Sequence, residues 1–183
     1  HPAQAFHREV DQAVARFEEL HRERLQCTRG CSGCCVDGIT VFEIEAVLIR
    51  LRHGVLVAAA EGFGVSRDGG NTWRIVTEGL HAHYLRAVAV SDDTVLVSAS
   101  TGPGGRRSAL YRKRLDGDEA FERCRDGLPT WFDANIDTAC LAAAGSVVVF
   151  GTEDGRVFQS LDGGARWEMR AKGLPSVTSV TLR

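Results

Sequence analysis

Ser66-Arg67-Asp68-Gly69-Gly70-Asn71-Thr72-Trp73 and Ser160-Leu161-Asp162-Gly163-Gly164-Ala165-Arg166-Trp167 are two copies of one eight-residue signature. A turn repeated together with its Trp means a repeated supersecondary unit. In this pattern the Ser and Asp side chains can hydrogen-bond nearby backbone N–H groups, the glycines can reach positive φ, and the Trp can bury a broad face against a sheet. Each copy therefore reads as the closure of a hairpin. A decayed third copy, Arg114-Leu115-Asp116-Gly117-Asp118-Glu119-Ala120-Phe121, keeps the Asp, one Gly and an aromatic at the Trp position. Trp73, Phe121 and Trp167 are 48 and 46 residues apart, and Gly79-Leu80, Gly127-Leu128 and Gly173-Leu174 repeat those intervals.

Between the markers the chain reads as short apolar or β-branched runs: Val55–Ala60, Leu85–Val90, Thr94–Ala99, Ala139–Ala143, Ser146–Phe150 and Val177–Leu182. Gly and Asp turns separate them, which is a strand pattern. About four short strands per repeat is the arithmetic of a β-propeller blade. The expectation is a mainly β fold of about three blades over residues 54–183.

The signature resembles the Asp-box, or BNR repeat, of the propellers in sialidases, sortilin-type receptors, glucan hydrolases and photosystem II assembly factors. By that resemblance Ser66, Asp68, Gly69, Gly70, Trp73, Asp116, Ser160, Asp162, Gly163, Gly164 and Trp167 are structural, and none is catalytic. One fold hosts unrelated functions, so the resemblance alone assigns no activity.

Read by strand count, residues 54–183 begin with three strands of a blade lacking its innermost strand and end with a spare one, Val177–Leu182. Propellers close by completing one blade from both termini, which removes exposed sheet edges. Two readings follow: a fragment of a longer propeller, or two chains exchanging end strands to form a homodimeric six-bladed ring.

Residues 1–53 read differently. Phe6, Val10, Val14, Phe17 and Leu20 form one stripe of an amphipathic helix over 3–25. Cys27, Cys31, Cys34 and Cys35 then place four of the six cysteines within nine residues. Thr40-Val41-Phe42-Glu43 reads as a capping box opening a second helix, with Phe42, Ala46, Ile49 and Leu51 as its buried side. Clustered thiols point to metal or redox chemistry, with disulfides and unligated thiols as the alternatives. The order of elements resembles the YkgJ-type cysteine-cluster family, described as zinc- or iron-chelating. That resemblance implies zinc or iron, iron–sulfur included, on Cys27, Cys31, Cys34 and Cys35, although the first cysteine interval is one residue longer than the family's. Cys124 and Cys140 stand alone in strand-like runs and read as core.

Lys and Arg total 22 against 24 Asp and Glu, a balance of −2 that argues against nucleic-acid or membrane-surface partners. The amino-terminal helix has no continuous apolar run of membrane-spanning length. Arg106-Arg107 and Arg112-Lys113-Arg114 are the local basic density and read as a solvated hairpin. His81-Ala82-His83 offers two imidazoles without a third ligand nearby in sequence. Tyr84 and Tyr111 lack the arginine cluster a sialidase-like site would need, and no carboxylate pair is marked out.

Two loops, Glu78–Tyr84 and Leu128–Asp137, remain as surfaces for a protein or glycan partner, and the adjacent aromatics Trp131 and Phe132 mark the second. The functional expectation is a non-enzymatic binding or assembly module. A metal or redox protein working through the cysteines, and a fragment of a sialidase-like glycoside hydrolase, are the alternatives. For compartment, reduced cysteine clusters favour the cytosol, whereas Asp-box families are frequently secreted.

Overall fold

The computed structural model describes residues 47–51, 54–68 and 70–182, with side chains from Gly54 onward. The expected helix over 3–25, the four clustered cysteines and Gly69 lie outside the described residues. Three four-stranded antiparallel sheets make up the fold. The first blade is β1 (Val47–Leu51), β2 (Gly54–Ala59), β3 (Gly62–Ser66) and β4 (Arg74–Val76). The second is β5 (Tyr84–Ser91), β6 (Thr94–Ser100), β7 (Ala109–Arg114) and β8 (Glu122–Arg123). The third is β9 (Leu141–Ala144), β10 (Val147–Gly151), β11 (Val157–Ser160) and β12 (Glu168–Ala171). In each sheet the strands lie side by side in chain order, as a blade requires.

Two expectations change. The helix expected from Thr40 does not run through Ile49 and Leu51, because Val47–Leu51 is a strand paired from Val47↔Ala58 to Leu51↔Gly54. Its β-branched and Leu-rich sequence suits a strand, and tertiary pairing overrides the helical spacing. The first blade thus has its fourth strand from the adjoining chain, on the amino-terminal side of the boundary expected at residue 53. Val177–Leu182, expected as a strand, lies outside all three sheets. The strand exchange inferred from a missing and a spare strand therefore loses its basis.

The side-chain period of two divides each blade into a rear face toward the preceding blade and a forward face toward the next. Leu56, Ala58, Phe63 and Val76 on the forward face of the first blade form one core with Val95, Val97, Tyr111 and Phe121 on the rear of the second. Ala87, Ala89, Leu96, Leu110 and Cys124 on the forward face of the second join Val148, Phe150, Phe158 and Trp167 on the rear of the third. The box aromatic belongs to the rear set each time.

The two intact Asp-boxes fold alike. Asp68 accepts from the Ser66 hydroxyl at 2.8 Å, from the Thr72 N–H at 2.9 Å and from the Thr72 hydroxyl at 2.7 Å. Ser66 Oγ in turn accepts the Gly70 N–H at 2.8 Å, and the Trp73 indole N–H donates to the Gly70 carbonyl at 3.0 Å. In the second box Asp162 accepts from Ser160, Ala165 and Arg166 at 2.8, 3.0 and 2.9 Å, and Trp167 donates to Gly164 at 3.0 Å. The decayed copy closes differently, with the Glu119 carboxylate accepting the Arg114 N–H at 2.8 Å. Asp116 faces Arg67 of the first blade at 4.0 Å instead.

Candidate functional site

The loops after the first and second blades converge on one surface. His81 and Trp131, one from each loop, bring their rings to a centroid distance of 4.6 Å. The Tyr111 hydroxyl donates to His81 Nδ1 at 2.8 Å, which leaves Nε2–H to donate to the Arg107 carbonyl at 2.8 Å. Both ring nitrogens are thereby used within the fold, so His81 is a spacer between strand β7 and the loop rather than a metal ligand.

Trp131 is half-buried, and two guanidinium groups lie on its ring. Arg123 stands 3.8 Å and Arg107 4.7 Å from the ring centroid. Such cation–π contacts hold the guanidinium planes without neutralising them. Arg123 Nε is buried and makes no hydrogen bond among the described residues. Elsewhere arginines are paired: Arg112 with Glu122, Arg114 with Asp93, Arg156 with Asp154 and Arg166 with Asp126. Among the described residues no ion pair reaches Arg106, Arg107, Arg123 or Arg125.

The electrostatics follow from that geometry. Burial pushes the Arg123 group below its ordinary value, and repulsion from Arg125 and Arg107 adds to the effect, while Tyr111 opposes it. Burial lowers His81 as well, against the bond that its Nε2–H donates to the Arg107 carbonyl, with Arg123 and Arg107 adding repulsion. Tyr111 is raised by burial. The cluster is a positively charged surface with an aromatic floor.

Of the two aromatics singled out in the sequence, only Trp131 offers surface. Phe132 is 3% exposed and meets Phe150 and Phe158 edge to face at 5.5 and 5.7 Å. Tyr111 and Arg123 escaped sequence reading because they are distant in the chain. Their signal was the strand pairing Tyr111↔Arg123, which puts both on one face. The basic run Arg112-Lys113-Arg114 is absorbed by pairing and burial, since Lys113 is 7% exposed over Phe121.

A concavity of about 460 Å³ is lined by Arg86, Asp133, Asn135, Asp137, Glu153 and Val177 among others. Arg86 Nε faces Asp137 Oδ1 at 3.0 Å. Asn135 is fixed by the Ser100 hydroxyl at 2.6 Å and the Pro103 carbonyl at 3.0 Å. The lone cysteines are buried core groups: Cys124 is pushed up to about 12 by burial, and burial also raises Cys140. Among the described residues no group of three or more His, Cys, Asp or Glu side chains could hold a metal ion, and no helix is long and apolar enough to cross a membrane.

No family model and no curated protein sequence matches the chain. Among solved structures it is similar to YCF48 bound to a D1 peptide, at 17% identity and a TM-score of 0.53, covering 73% of this chain and 42% of that one. The blades are those of a β-propeller. Further similar structures are the GH74 xyloglucanase from Xanthomonas campestris (20% identity, TM-score 0.49, 64% of this chain and 18% of that one) and an ancestral GH74 enzyme (13%, 0.46, 66% and 17%). The chain spans less than half the length of the propeller chains it matches.

Proposed function

We propose that this propeller segment is a protein-binding module whose Trp131-centred surface receives an acidic peptide segment of a partner. The supporting observation is that Arg107 and Arg123 lie on one indole with no carboxylate partner among the described residues. Two like charges held side by side and partly desolvated are unfavourable until an anion neutralises them. An arginine fork receives a carboxylate through two parallel N–H bonds, and the half-buried indole adds apolar contact for a neighbouring side chain. The match to YCF48 supports the propeller scaffold on which this surface is built.

The test uses an Asp/Glu-rich peptide and its Asn/Gln counterpart, titrated calorimetrically at low salt. The acidic peptide binds and the amide peptide does not. Arg123→Gln and Trp131→Ala each weaken binding by about tenfold or more, the factor that 1.4 kcal/mol represents. Equal affinity for both peptides, or unchanged binding in both variants, overturns the reading.

The cysteine cluster supports a second proposal from its sequence alone. Thiolates of Cys27, Cys31, Cys34 and Cys35 suit zinc or iron as soft ligands, and metal loss would then cost folding free energy in that segment. Elemental analysis of chain purified without chelator would give about one metal per chain, abolished by joint Cys31→Ser and Cys34→Ser substitution. Metal-free wild-type protein with free thiols would dismiss it.

A further inference from the structure

Two segments run side by side before strand β7. The main chains of Ser108 and Phe132 exchange two N–H···O bonds of 2.9 Å, and the Asn135 side chain donates to the Pro103 carbonyl at 3.0 Å. A Cβ at Gly105 would overlap the Asn135 backbone nitrogen, so the two chains are in close contact there as well. This ribbon joins two surfaces. At one end Arg107 and Trp131 belong to the cation–aromatic cluster, and toward the other Gly104, Asp133 and Asn135 line the concavity of about 460 Å³. Trp131 and Asn135 are four residues apart, which is at most roughly 14 Å of chain.

The two surfaces differ in charge. In the concavity Arg86 Nε faces Asp137 Oδ1 at 3.0 Å, and those two charges balance. Asp154, in an adjoining hollow of about 240 Å³, is balanced by Arg156. Asp133 and Glu153 line both hollows and are exposed. Among the described residues no ion pair reaches either of them. Asp133 comes from the loop after the second blade and Glu153 from the turn between β10 and β11, so two blades supply the carboxylates. The walls are fixed: Ser100 and Pro103 hold Asn135, Val177 fills the place of a Cβ at Gly151, and Cys140 Sγ donates to the Val177 carbonyl at 3.2 Å. A concavity shaped in advance spares a ligand the cost of ordering it.

We propose that the concavity takes a Lys or Arg side chain of the same partner whose acidic segment lies on Trp131, an inference that rests on that reading of the Trp131 surface. The cationic head meets Asp133 and Glu153, and the volume leaves room for bridging water. The recognised segment is therefore of mixed charge, with carboxylates for Arg107 and Arg123 and one basic residue about four positions away. Each charge is repelled by the other's surface, so the order of charges fixes the direction in which the segment lies.

The test extends the acidic peptide by four residues ending in Lys or in uncharged norleucine, at its amino end in one version and its carboxyl end in the other. All are end-blocked and titrated calorimetrically at low salt beside the acidic peptide alone. In one of the two orders wild type binds the Lys peptide about two- to fivefold more tightly than its norleucine counterpart, the scale of an exposed ion pair. Asp133→Asn combined with Glu153→Gln erases that gain and binds the norleucine peptide at least as tightly as wild type does. Both side chains are exposed, so the double variant keeps the wild-type melting profile. No gain from Lys in either order, or a gain that survives the double substitution, overturns this inference while the acidic peptide still binds. Failure of the acidic peptide itself to bind overturns the Trp131 reading and this inference with it.

Discussion

The Phe63 ring meets the Phe121 ring edge to face, with centroids 5.5 Å apart, across the seam between the first and second blades. At the next seam Trp167 meets Phe150 of its own blade edge to face at 5.0 Å and shares a buried cluster with Leu96, Leu110 and Cys124 of the second blade. The box aromatic is thus an interblade anchor as well as a hairpin closure.

Truncating equivalent anchors should then give unequal costs. Trp167→Ala removes a fully packed indole and should cost about 3–5 kcal/mol, the range for large aromatics in cores. Trp73→Ala removes a ring that is 44% exposed and should cost less than half as much. Urea denaturation of the two variants checks the ratio, and equal losses would refute the distinction between the buried and the exposed ring.

The blades were legible because their determinants are local. A Ser, an Asp, two glycines and a Trp in eight residues carry their own hydrogen bonds, and they recur with a fixed period. The helix expected through Ile49 and Leu51 failed for the opposite reason: a short apolar run suits either element, and pairing with Gly54–Ala58 decides it. The Trp131 surface was half legible. The loops bearing His81 and Trp131 were marked by composition, but Arg123 joins them through strand register, which sequence spacing does not encode. Phe132 shows the limit of reading adjacent aromatics, since neighbours in a loop can point to opposite environments.

The recurrent Gly-Leu markers have a steric cause that can be tested directly. At Gly127, φ is 79° and a Cβ would overlap the Trp167 carbonyl, so neither the backbone nor the neighbour tolerates a side chain. Gly127→Ala should cost at least about 1–3 kcal/mol from the backbone conformation alone. Gly104→Ala, with open space around its Cβ position and no positive φ, should be nearly neutral. Thermal melting distinguishes them, and a neutral Gly127→Ala would show that the seam can separate freely.

Asp68 should shape the acid limb of stability. Bonds from the Thr72 side chain, the Thr72 N–H and the Ser66 hydroxyl hold its carboxyl near about 2, below the ordinary 3.8. A depressed carboxylate contributes stability that is fully present above the unfolded value and lost as pH falls through the folded one. Between 3.8 and about 2, wild type should therefore lose stability more steeply than Asp68→Asn. Parallel curves in acid denaturation would mean that the box carboxylate is not held in its charged form.

His81 should act with the same sign at a higher pH. Its folded value lies below the ordinary 6.5, chiefly because of burial, with repulsion from Arg123 and Arg107 adding to that effect against the bond donated to the Arg107 carbonyl. Below 6.5 the unfolded chain takes up a proton that the folded chain resists, so the unfolded state binds more protons and stability falls with pH. Protonation also removes the acceptor of the Tyr111 hydroxyl and adds positive charge beside Arg107, Arg123 and the Trp131 ring. His81→Gln, which cannot titrate, should flatten the slope of melting temperature between pH 7.5 and pH 5. A slope unchanged by the substitution would place the titrating group elsewhere.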